Sequence, residues 1–152
     1  MFRGHHYRNL DDRSRLMIPP DFRRIIYAYD KEGKVVLSNL DGCVVGYPLK
    51  EWEEIEKSFY KVLNIFNATL RDFHRFFISR AVEVSLDKQG RILIPPHLKS
   101  YASLKKEVVL AGVGKRFEIW DKERYEERFR KLGENLDAIG EELLRQGIEL
   151  KL

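Results

Sequence analysis

Two stretches, LDDRSRLMIPPDF at 10–22 and LDKQGRILIPPHL at 86–98, carry an aspartate followed four residues later by an arginine: Asp11 with Arg15, and Asp87 with Arg91. The chemistry open to such a pair is recognition of a planar edge rich in acceptors. The carboxylate orients the guanidinium at the tip of a turn, and a guanidinium held this way can bond bidentately to guanine O6 and N7 in a DNA major groove. A salt bridge that merely pins the turn is the plainer use, and exposed pairs of that kind contribute about 0–1 kcal/mol. That use does not explain two diverged copies that keep both residues and change the three between them. Arg13 and Gln89 share one position in the copies; an arginine there suits a phosphate or guanine, a glutamine an adenine edge.

The elements that must position these residues are also written twice. Aligned at an offset of 76, Leu10, Asp11, Arg15, Ile18, Pro19 and Pro20 match Leu86, Asp87, Arg91, Ile94, Pro95 and Pro96. After a three-residue gap, VVLSNLDGCVVGYPLKEWEE (35–54) aligns with VVLAGVGKRFEIWDKERYEE (108–127). Two matched blocks in one order mean an internal duplication. Each copy predicts a strand (Tyr7–Leu10, Glu83–Leu86), a polar turn (DDRS, DKQG) and a short apolar strand (Arg15–Ile18, Arg91–Ile94). Pro-Pro then stops the strand and opens a short helix (Asp21–Tyr27, His97–Ser103). Two more strands follow, Val35–Leu37 with Cys43–Tyr47, and Glu107–Leu110 with Arg116–Trp120. A unit of under fifty residues is too small to bury a core alone. It must pack on its twin, and two turns related by an approximate twofold could read adjacent parts of a duplex.

Between and after the copies the apolar spacing turns helical. Trp52, Ile55, Phe59, Val62, Leu63 and Phe66 recur at three and four, as do Leu70, Phe73 and Phe77, and Tyr125, Phe129 and Leu132. These stripes are expected to pack on the chain's own sheets or to join neighbouring subunits. The last stretch, 134–152, is the weakest helix because Gly140 and Gly147 interrupt it.

Composition narrows the function. The chain has 152 residues, a net charge of +4 and 43% hydrophobic content, enough for a core and mildly basic. Residues 1–24 hold six arginines against three aspartates, so the positive charge gathers around the first turn. Cys43, the single cysteine, excludes internal disulfides and multi-thiolate zinc sites and is expected to be a small core residue. No run approaches the roughly 20 apolar residues that span a bilayer, and MFRGHHYRNLDD does not resemble a signal peptide, so a soluble intracellular protein is expected.

An enzyme is the main rival. His5, His6, Asp11 and Asp12 could form a metal or acid–base cluster, but adjacent histidines on a strand point to opposite faces. The second copy has no histidine beside its turn, and no Walker loop, H-E-x-x-H or G-x-S-x-G is present. No catalytic residue, cofactor or metal ligand is assigned, and His74 and His97 read as ordinary polar residues. The other rival is an oligomeric scaffold without specific DNA binding, whose turns are only structural.

MFRG…LDDRSRLMIP and LDKQGRILIP…LKKEVVLAGVGKRFEIWDKERYE resemble the MraZ family of bacterial transcriptional regulators, from Met1 to about Glu127. The resemblance implies an α+β fold: two tandem SpoVT–AbrB-like β units (5–51 and 81–124) forming a pseudo-twofold, barrel-like core. A helical connector (52–80) and a C-terminal helical segment (125–152) complete it. It also implies a ring-shaped homo-oligomer in the cytoplasm and nucleoid that binds short G-rich repeats in double-stranded DNA upstream of the division and cell-wall gene cluster, as a repressor, without a membrane or small-molecule partner. Arg15 and Arg91 inherit the DNA contacts, with Arg13 and Gln89 beside them and Arg3 as a backbone contact; Asp11 and Asp87 orient the turns. Ser14 departs from the family's glycine, which the second copy has at Gly90; a positive φ there would strain a serine.

Overall fold

The computed structural model describes residues 1–152. It divides into two compact units, Met1–Lys122 and Glu123–Leu152. The architecture is α+β, with antiparallel strands and six α-helices.

In the first unit the strands are β1 (His5–Asn9), β2 (Arg15–Met17), β3 (Lys34–Leu40), β4 (Cys43–Pro48), β5 (Val82–Ser85), β6 (Arg91–Leu93), β7 (Glu107–Val113) and β8 (Arg116–Asp121). Six form one sheet in the order β1-β7-β8-β4-β3-β5; β2 and β6 pair as a separate ribbon. Each copy's first strand is given to the other copy: β1 pairs with β7, and β5 with β3. Exchanging every strand for its counterpart leaves this order unchanged. Residues aligned between the copies also face each other, Val45 with Glu118 at the sheet's centre and Leu16 with Ile92 in the ribbon.

The short helices α1 (Pro20–Tyr29) and α4 (Pro96–Tyr101) both start on proline, whose missing N–H costs nothing in a first turn. The expected helix 97–103 ends early because Ser103 turns left-handed at φ 52. The strand expected at Tyr7–Leu10 runs His5–Asn9, and that at Glu83–Leu86 runs Val82–Ser85; Leu10 and Leu86 instead enter the core as the chain bends into each turn. The three-residue gap falls where α4 is shorter than α1.

One core serves both copies. Leu16, Ile18, Ile92 and Ile94 are buried in it with Phe22 and Leu98. Phe2 joins them, its ring edge-on to Phe22 (5.2 Å) and Phe117 (5.4 Å). Phe2 gets there because β7 lets the N-terminal backbone approach closely: a Cβ on Gly112 would lie 2.3 Å from the Arg3 nitrogen. Cys43 is fully buried, as expected of a small core residue, its thiol directed at the Leu40 carbonyl (3.2 Å).

The connector forms α2 (Leu49–Val62), α3 (Ala68–Phe73) and a π-helical turn, His74–Ile78. Buried Ser38 and Asn39 of β3 hold this turn by donating to the Phe77 and Phe76 carbonyls (2.6 and 2.8 Å). The expected stripe is only half buried: Trp52 and Phe59 pack inward, whereas Val62 and Phe66 are exposed. Val62 is the last residue of α2 and Phe66 lies beyond the helix end.

The second unit continues α5 (Lys122–Glu134) and adds α6 (Leu136–Arg145). Tyr125 and Phe129 stack, but Phe129 and Leu132 stay exposed. Gly140 does not interrupt α6, where an exposed helix tolerates the roughly 1 kcal/mol a glycine costs; Gly147, at φ 72, follows its end. No helix of the chain is long and apolar enough to cross a membrane.

Candidate nucleic-acid interface

The two Asp–Arg turns are built alike. Asp11 Oδ1 accepts the backbone N–H groups of Arg13 and Arg15 (both 2.9 Å), and Asp87 Oδ1 those of Gln89 (2.9 Å) and Arg91 (2.8 Å). The other carboxylate oxygen takes the arginine Nε, at 2.6 Å for Arg15 and 2.9 Å for Arg91. The aspartate therefore shapes the loop and aims the guanidinium at once. Its use of Nε leaves the paired Nη edge, which is the edge that matches guanine. The two arginines differ there: Arg91 Nη2 donates to Gln89 Oε1 (3.3 Å) and Nη1 lies 3.8 Å from Asp11.

The ribbon brings the turns together. Arg15 faces Leu93 and Met17 faces Arg91, so the arginines sit at diagonal positions, roughly 7–8 Å apart at Cα. Strand alternation puts Leu16 and Ile92 into the core and both arginines on the outer face. Backbone bonds cross between the copies on either side: Ile18 N–H to the Gly90 carbonyl (3.0 Å), and Ile94 N–H to the Ser14 carbonyl (2.9 Å).

Ser14 does adopt a positive φ, 59°, as Gly90 does at 80°. A left-handed conformation costs a non-glycine residue roughly 1–2 kcal/mol. Its hydroxyl is held from the other copy by Lys99 Nζ (2.9 Å). In the aligned place Arg23 of α1 lies over Gly90 so closely that a Cβ there would be 2.6 Å from its Cδ, and Arg23 also donates to the Ile18 carbonyl (2.6 Å). Arg23 and Lys99 were not among the expected site residues. The signal was present, since they stand 76 apart and both are basic, but their crossing between copies is a tertiary fact.

Backbone donation from Arg15 and Arg91, reinforced by their guanidinium groups, holds the Asp11 and Asp87 carboxyls below the ordinary carboxylate value of 3.8. A carboxyl depressed on folding adds stability above its unfolded pKa and loses it as the pH falls through the folded value. The Asp11→Asn, Asp87→Asn double variant should therefore melt below the wild type at pH 7, and the gap in Tm should close below pH 3.8. Melting curves across that range check it.

Of the other expected residues, Arg13 and Gln89 project exposed from the turn tips. Arg3 is exposed but is not brought to them: it lies beyond the opposite end of β1, beside Gly112. The histidines separate, His5 against the Tyr7 ring and His6 against Phe22 and Asp21 (3.5 Å). His97 Nε2 lies 2.9 Å from the Arg80 carbonyl.

The family described as "MraZ protein, putative antitoxin-like" matches residues 1–76 and again 77–146. The chain is 51% identical over 152 residues to the transcriptional regulator MraZ of Solidesulfovibrio magneticus, covering 99% of each chain. It is 43% identical over 149 residues to the proteins of the same name from Nitratidesulfovibrio vulgaris and Maridesulfovibrio salexigens, covering 98% of this chain and 97% of theirs.

Proposed function

The chain belongs to the MraZ family, and from that premise we propose that it is a sequence-specific DNA-binding regulator of transcription, whose reading head is the β2–β6 ribbon with its two Asp–Arg turns. The observation that carries this reading is the turn built twice, with the same bonds, on one outer face. A major groove admits a two-stranded ribbon, and diagonal arginines fit about two base-pair steps. Arg15 and Arg91 read guanine, Arg13 and Gln89 reach a phosphate or base edge beside it, and Arg3 touches backbone away from the turns. The unchanged strand order and self-facing positions support an approximate twofold between units 5–51 and 81–124.

The proposed site is a set of short G-rich repeats in the promoter of the division and cell-wall gene cluster, bound in the cytoplasm and nucleoid, with repression as the outcome. Homo-oligomerisation into a ring is part of the reading. Exposed Tyr60, Val62, Ile65, Phe66, Phe73 and Phe76 around the connector supply apolar surface for it. No cofactor or chemical step is needed.

Several chains in one ring raise the effective concentration of each head for the next repeat. Binding to a duplex carrying the tandem repeats upstream of the chain's own gene should exceed binding to one repeat by about a hundredfold or more. A binding titration on the two duplexes tests this, and equal affinities would overturn the multivalent reading.

A further inference from the structure

We infer that the same ribbon face reads thymine as well, through Met17 and Leu93 packed against thymine C5-methyl groups. The inference rests on the DNA-reading role proposed above and names what its apolar half recognises. Four side chains point outward from the ribbon: Arg15, Met17, Arg91 and Leu93. Met17 is 38% exposed and Leu93 54%. One exposed aliphatic residue is ordinary. Here two occupy the same place in the two copies, and each stands directly across the ribbon from one of the turn arginines, Leu93 opposite Arg15 and Met17 opposite Arg91. The face therefore alternates cation and apolar group on a strand otherwise committed to the core.

A base-pair edge in the major groove has matching chemistry. Guanine offers two acceptors to a guanidinium, and the thymine methyl is the apolar group on that edge. A ribbon seated with Arg15 on a guanine brings Leu93 over a neighbouring base, and the same holds for Arg91 and Met17. Met17 is also steadied, since its Sδ lies 3.6 Å from Arg23 Nη1. The partner is thus double-stranded DNA with thymine beside the guanines, and an RNA duplex, lacking the methyl, fits less well.

The test uses the full-length protein and the duplex upstream of its own gene, made once with thymine and once with deoxyuridine at every thymine position. The wild type should bind the uracil duplex at least about fourfold more weakly for each methyl touched by one chain, about fifteenfold for two. The Met17→Ser, Leu93→Ser double variant should bind both duplexes alike, with Arg15 and Arg91 intact and an unchanged melting temperature. Equal binding of both duplexes by the wild type, or a double variant still as sensitive to the methyl as the wild type, would overturn the inference and leave the reading head standing. A wild type that shows no preference for the upstream duplex over a scrambled one would overturn both. Should the double serine variant melt early, Met17→Gln with Leu93→Asn keeps side-chain size, and the same loss of methyl sensitivity is required of it.

Discussion

Replacing Arg15 with alanine is expected to remove specific DNA binding and to leave the native mass unchanged. The guanidinium lies on the outer face of the ribbon, anchored to Asp11 through Nε, while the core side of the same strand is carried by Leu16. Its loss therefore costs recognition and little packing. One bidentate guanine contact discriminates by about 1–3 kcal/mol, or roughly 5–150-fold. In the proposed ring every subunit would lose its contact together, and the observed effect would exceed the single-site value. Arg91→Ala acts in the same direction but more weakly, because Gln89 and Asp11 already engage its Nη edge. Binding titrations beside native mass measurement check both variants. Normal binding by Arg15→Ala would favour the scaffold reading, in which the turns are only structural.

Phe117→Ala has the largest expected effect on folding. The ring is fully buried, meets Phe2 at 5.4 Å and Phe22 at 6.1 Å, and fills the space opposite Gly46, where a Cβ would lie 2.3 Å from its Cζ. Truncating such a phenylalanine costs about 3–5 kcal/mol, since the cavity cannot collapse onto a glycine. For a chain of this size that lowers Tm by roughly 6–20 °C. Thermal melts check it, and a drop under about 3 °C would mean that the three rings do not form one packed cluster.

Much of the local structure was legible because it is local. Pro-Pro after a short apolar strand, and glycine-containing turns between apolar runs, marked the short strands and the hairpins to within a few residues. Ser14 raised the right question, and the answer is a left-handed serine whose hydroxyl is held by Lys99. Pairings between distant segments were not legible, since periodicity says that a strand has a buried face and not which neighbour covers its edge. The exchange of β1 and β5 between copies, and the crossing of Arg23 and Lys99, belong to that class. A lone Phe2 in MFRG carries no pattern, yet it is a core residue. The stripe Leu70, Phe73, Phe77 hid a change from α to π winding, in a turn whose carbonyls are bound by Ser38 and Asn39 some forty residues earlier. Phe129 and Leu132 share a helix face as their spacing predicts, but this chain alone leaves them exposed.

The central claim, that the guanidinium edge held by Asp11 reads guanine, is tested most directly by removing the atom it reads. The duplex upstream of the chain's own gene, with 7-deazaguanine in place of guanine in its repeats, lacks N7 but keeps O6. The wild type should bind it at least about tenfold more weakly than the normal duplex, while Arg15→Ala with Arg91→Ala should bind both equally and weakly. Equal binding of the two duplexes by the wild type would contradict the account.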